Sequence, residues 1–107
     1  MKLKLLDRLK KATIAAPVNF TFAGETIAMT LHVRVKTNEE LEKITSGAQQ
    51  DKEIVKELLA GWEDFQDEGK DVPFSDEVLE QLLSVPAVTG RLSVECINAN
   101  YRVQEKN

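Results

Sequence analysis

An α+β fold is what this sequence predicts: an N-terminal antiparallel β-hairpin or small sheet, packed on one face by several helices, and a helical C-terminal half. Three observations carry that expectation. Residues 26–36 alternate, with Ile27, Met29, Leu31, Val33 and Val35 on one face and Thr26, Ala28, Thr30, His32, Arg34 and Lys36 on the other. One apolar and one polar face is the mark of an antiparallel sheet covered on a single side. Beyond Thr37 the apolar spacing lengthens to that of helices, and helix-starting residues stand at Thr37 and Ser75. Finally, 107 residues with 42% apolar and 30% charged side chains suit one folded domain, 1–107, rather than a disordered chain.

The first element, within 1–14, is an amphipathic helix. Leu3, Leu5, Leu6 and Leu9 gather on one side, while Lys2, Lys4, Arg8, Lys10 and Lys11 cover the rest. The plainer reading closes these leucines over the protein's own core. The alternative lays Leu3, Leu6 and Leu9, with Lys10 and Lys11, against a partner, because a helix at the chain's edge undocks at little cost. Pro17 ends that pattern, and a hairpin over 17–36 follows. Val18, Phe20 and Phe22 form its first inward row, and Gly24-Glu25 supplies a type II′ turn.

Residues 37–60 read as helical. Thr37 and Glu40 form a capping box, and Leu41, Ile44 and Ala48 continue the stripe. A break is expected at Ser46-Gly47, after which Asp51 caps a segment carrying Ile54, Val55, Leu58 and Leu59. Residues 62–74 read as a turn with a short extended piece, bringing Trp62 and Phe65 to the junction and turning at Gly69. Two helices then fill 75–104. Ser75 caps the first, with Phe74 and Leu79 as a hydrophobic staple. Pro86 opens the second, whose stripe is Val88, Leu92, Cys96, Ala99 and Val103.

No constellation for catalysis stands out, so enzyme activity and a cofactor are not expected. His32 is the sole histidine and reads as a surface side chain; Cys96, the sole cysteine, falls on an apolar stripe and reads as a buried, inert thiol. Aligned as a calcium loop, the acidic run Asp64–Asp71 places Ser75 where the bidentate glutamate belongs, so a tight acidic turn explains it better. No stretch of 18 apolar residues is present and the N-terminus lacks the apolar core of a signal peptide, so a cytoplasmic protein with no membrane partner is expected.

Charge is split. Residues 1–36 hold seven Lys/Arg against two Asp/Glu, net +5, while residues 37–107 hold seven against sixteen, net −9. Such a split orients a partner or a self-association, though two solvated faces explain it as well. Nucleic acid is not expected: the polar row His32, Arg34 and Lys36 has no aromatic among it for base stacking.

The ordered features Val55-x-x-Leu58-Leu59-x-Gly61-Trp62-Glu63, Asp67-Glu68-Gly69, Val72-Pro73-Phe74-Ser75-Asp76-Glu77, Leu82-Leu83, Pro86 and a terminal helix carrying Tyr101 resemble the tail assembly chaperones of long-tailed (siphovirus-type) bacteriophages. The resemblance covers somewhat under half of the chain. It makes Trp62, Phe65, Gly69, Pro73, Phe74, Ser75 and Tyr101 a structural motif, not a chemical one. It implies a protein of the infected host's cytoplasm, absent from the mature virion, that binds the tape measure protein. It further implies recruitment of the tail tube protein, in many relatives through a frameshifted longer form, and self-association into a ring or spiral. The rival readings are another phage component, such as a head–tail joining protein, and a small nucleic-acid-binding regulator.

Overall fold

A computed structural model describes residues 3–102, and within them the chain forms five helices and five strands. The order is α1 (Lys4–Lys11), β1 (Thr13–Phe22), β2 (Glu25–Arg34), α2 (Asn38–Ser46), α3 (Asp51–Leu58), β3 (Leu59–Glu63), β4 (Gln66–Asp67), β5 (Lys70–Asp71), α4 (Asp76–Leu83) and α5 (Pro86–Ala99). The α+β architecture is the one the alternation predicts, and the sheet runs β1-β2-β3, antiparallel throughout.

The hairpin spans 13–34 rather than 17–36, starting earlier and stopping before Val35 and Lys36. Helix α1 stops at Lys11, and Thr13 already pairs with Arg34. Pro17 therefore lies inside β1 instead of ending a helix. It fits there because β1 pairs only with β2, and an edge strand can spare an N–H. The predicted rows hold: Val18, Phe20, Met29, Leu31 and Val33 are buried, joined by Ala16, while Phe22 at the hairpin's end is exposed. The turn sits one residue earlier than expected, at Ala23-Gly24. Both residues have positive φ, 54° and 82°, which makes it a type I′ turn. That position closes the Phe22–Glu25 pair and sets Phe20 opposite Ile27 and Val18 opposite Met29.

The capping box at Thr37 is formed, with the Thr37 N–H donating to Glu40 Oε1 at 2.9 Å and the Glu40 N–H donating to Thr37 Oγ1 at 3.2 Å. The break after Ser46 is also present. Gln50, not Asp51, is the cap residue of α3, and Ala48 is exposed in the connector. Region 37–60 is not helical to its end. Leu59 leaves α3 and opens β3, the third strand of the sheet, where a turn and short extension had been expected from residue 62. Trp62 pairs with Leu31 and Leu59 with Val33, while Ala60 bulges between them. Leu59 and Trp62 are thus both buried despite their odd spacing. The bulge re-phases the strand so that both large side chains reach the core.

Helix α5 lies against β1 and β2, with α3 and α4 packed on it, and one apolar cluster runs from Ala16 to Ala99. Val88, Leu92, Cys96 and Ala99 form the predicted stripe; Val103 lies outside the described residues. Arg91 holds its guanidinium 5.0 Å from the centre of the Phe20 ring, tying α5 to β1. The end of α5 is fastened to the end of β2 by Asn100. Its Oδ1 accepts from the Lys36 N–H at 2.9 Å and its Nδ2 donates to the Arg34 carbonyl at 3.2 Å.

Candidate partner-docking surfaces

Helix α1 inverts the usual economy of an amphipathic helix. Leu3, Leu5, Leu6 and Leu9 are each between 37% and 60% exposed, and no residue of α1 is buried. The expectation that these leucines close over the core is therefore wrong. Among the described residues, the hairpin, α3, β3, α4 and α5 share one apolar cluster, and no residue of α1 belongs to it. Lys2, expected on the same helix, lies outside the described residues. Lys10 and Lys11 are exposed, and Lys10 comes near enough to Glu40 to add to the lowering of its carboxyl pKa. The chief cause of that lowering is the Thr37 N–H, followed by the Thr37 hydroxyl, with Lys36 ahead of Lys10.

Two physical points follow. A helix of eight residues is marginal alone in water, because isolated helices need about 12–15 residues to persist. Four leucines held in water on so short an element form a contiguous apolar stripe of the kind that marks an interaction site.

The second surface lies between the β4–β5 hairpin and α4. Phe65, Val72, Val78 and Leu82, all half-buried, form the apolar floor of a groove of about 210 Å³, with Asp67 and Gln81 at its margin. The hairpin wall carries Asp64, Asp67, Glu68 and Asp71 against Lys70, net −3, all exposed. Glu68 and Gly69 make its turn, both at positive φ, so the acidic run is the tight turn the sequence suggests.

The residues named as a structural motif divide. Trp62 is buried, with Phe65 and Phe74 edge-to-face at ring-centroid distances of 5.6 and 4.7 Å. Its Nε1 donates to the Val72 carbonyl at 2.9 Å, so the indole is packed and satisfied. Ser75 Oγ accepts from the Val78 N–H at 3.2 Å, capping α4, and Leu79 beneath it is buried. Pro73 is exposed in the segment between β5 and α4. Tyr101 departs from the group: α5 ends at Ala99, and Tyr101 follows in a turn, 63% exposed.

The basic row on the sheet is committed inward. Arg34 Nη1 donates to the carbonyls of Glu57 and Leu59, at 2.9 and 3.0 Å, where α3 ends with free carbonyls and a negative dipole. Lys36 Nζ lies 3.9 Å from Glu57 Oε2, and His32 Nε2 lies 3.6 Å from Glu63 Oε1 across the β2–β3 pair. Burial pushes the Cys96 thiol up to about 12, with the neighbouring Glu95 adding to it. Glu95 itself is buried between Arg91 and Arg102, each 3.3 Å away. Among the described residues no three His, Cys, Asp or Glu side chains are grouped to hold a metal ion, and no helix is long and apolar enough to cross a membrane.

Comparisons with family models, with curated proteins and with solved structures each found no match.

Sequence reasoning reached α1 but underrated its exposure, and it named Leu3, Leu6 and Leu9 without Leu5. It missed the groove altogether. Val78 and Leu82 stand at helical spacing and read as core positions, whereas the structure leaves them, with Val72, half uncovered in the groove beside the hairpin.

Proposed function

We propose that this chain is a non-catalytic tail assembly chaperone of a long-tailed bacteriophage, binding the tape measure protein in the host cytoplasm. The carrying observation is α1, whose leucine stripe lies on the outside of a well-filled domain, bordered by Lys4, Arg8, Lys10 and Lys11. A long helical client offers leucine stripes of its own, and reversible helix-to-helix cover suits a protein that must keep such a client soluble. The motif from Val55 to Tyr101 supports the family, and its aromatic corner explains why such residues would recur without any chemistry. Recruitment of the tail tube protein, through a frameshifted longer form where one is made, belongs to the same reading.

The commitment of Arg34 and Lys36 to Glu57 and to the carbonyls ending α3 favours a protein client over a nucleic acid, since few free cations remain on the sheet. The test is co-expression with the tape measure protein of the same gene cluster. The expected result is a soluble complex that survives purification. Deleting residues 1–12 should leave the sheet and the remaining helices folded while the complex is lost. A full-length chain that neither co-purifies with the client nor alters its solubility ends the proposal.

A further inference from the structure

The sheet has two edges, and they are protected differently. Strand β3 is five residues long, carries the bulge at Ala60 and ends on Glu63. Shortness, a bulge and a charge are each means by which an edge strand avoids pairing with another chain. Strand β1 is ten residues long, and its register with β2 runs without a shift from Thr13–Arg34 to Phe22–Glu25. It holds no charged side chain, and Glu25 is the one Asp, Glu, Lys or Arg in residues 12–33. Ile14, Val18, Phe20 and Phe22 complete the composition that invites edge-to-edge pairing.

Pro17 is the exception, and its place in the ladder is fixed by the turn. The two-residue turn at Ala23-Gly24 closes on Phe22 and Glu25, which therefore exchange both backbone hydrogen bonds. Alternation along the unbroken register makes Phe20, Val18, Ala16 and Ile14 the other bonded positions of β1. The backbone groups of Thr13, Ala15, Pro17, Asn19 and Thr21 point the other way, toward the open edge. All five residues are exposed, and among the described residues no backbone hydrogen bond from outside the hairpin reaches them. Proline in this row costs β1 no bond to β2. It removes a donor from the middle of the open edge and sets a ring where an incoming backbone would lie.

We propose that Pro17 closes the outer edge of β1 to strand addition, and that an extended strand, in the first place β1 of a second copy, pairs along that edge once the ring is removed. With Pro17 in place the outward donors fall into two separate pairs, Thr13 with Ala15 and Asn19 with Thr21. Each pair spans three residues, against the roughly five or six of an ordinary strand. The inference rests on the sheet and needs neither α1 nor a client, so it stands or falls apart from the proposed function.

Hydrogen exchange on the full-length parent tests the geometry. The N–H groups of Ala16, Val18 and Phe20 should exchange slowly and those of Ala15, Asn19 and Thr21 fast. Equal protection of the two rows would mean that the edge is already covered, and would overturn the proposal. Pro17→Thr then returns the donor with a good strand former in place of the ring. At low concentration its circular dichroism and denaturant midpoint should stay close to the parent's. Sedimentation velocity should show assemblies at a concentration ~10-fold or more below any that the parent needs, because two N–H groups return in each symmetric strand pair. Adding Asn19→Lys to Pro17→Thr should restore the parent's behaviour, since a lysine on an edge strand repels a second copy. Pro17→Ala, which frees the donor with a smaller side chain, gives the same reading if threonine disturbs the fold. Replacements that assemble no more readily than the parent, or assembly that Asn19→Lys does not reverse, would each overturn the proposal.

Discussion

The Trp62 corner and helix α1 stand at opposite ends of how a side chain can be used. At the corner, one indole is buried, stacked against two phenyl rings and hydrogen-bonded through its only polar atom. At α1, four leucines gather on one side of eight helical residues and their flank, and none is buried. Both regions carry several large apolar side chains in sequence. The difference teaches that apolar character in the sequence does not say whether the chain itself will cover a surface: it covers the corner and leaves α1 outside.

The comparison breaks first at Trp62. Truncating a buried Trp to Ala typically costs ~3–5 kcal/mol, a large part of the ~5–15 kcal/mol available to a domain. Trp62→Ala should unfold or precipitate the protein, as read from its denaturant midpoint. An unchanged midpoint would mean the corner is held by Phe65 and Phe74 without it.

The capping box offers a sharper test of intermediate size. Thr37→Ala should cost about 1 kcal/mol near neutral pH, through loss of the hydroxyl that accepts from the Glu40 N–H, while the backbone N–H of residue 37 can still donate to the Glu40 carboxylate. Glu40 has its pKa lowered in the folded state, so its contribution is present above the ordinary value of 4.5 and is lost as pH falls through the lowered one. Urea titrations from neutral pH into that acidic window should therefore show the parent's advantage over Glu40→Gln narrowing. A gap independent of pH would separate the carboxylate from the cap.

The smallest effect on stability is expected at α1. Leu6→Asp should move the denaturant midpoint by no more than the equivalent of ~0.5 kcal/mol, as at a surface position free of special contacts. A large loss would return the leucines to the core and remove the contrast on which the proposed docking of α1 rests.

Much of this molecule was legible without its structure, and the reasons are local. Alternation from Thr26 to Lys36 needs only the two-residue period of a strand facing a core. Thr37 with Glu40, Ser75 with Val78, and Pro86 at the start of α5 satisfy helix ends using residues three or four apart. Tertiary structure alone decided the rest. Strand β3 exists because Leu31 and Val33 lie across from Trp62 and Leu59, some thirty residues apart in the chain, and the bulge at Ala60 erases the period that would have announced it. The start of β1 before Pro17 depends on its being an edge strand, a property of sheet order. So does the fate of α1. Its amphipathic stripe was written in the first eleven residues, but whether an apolar face becomes core depends on whether another face is left over to meet it. Here the other elements pair among themselves, and the leucines remain outside.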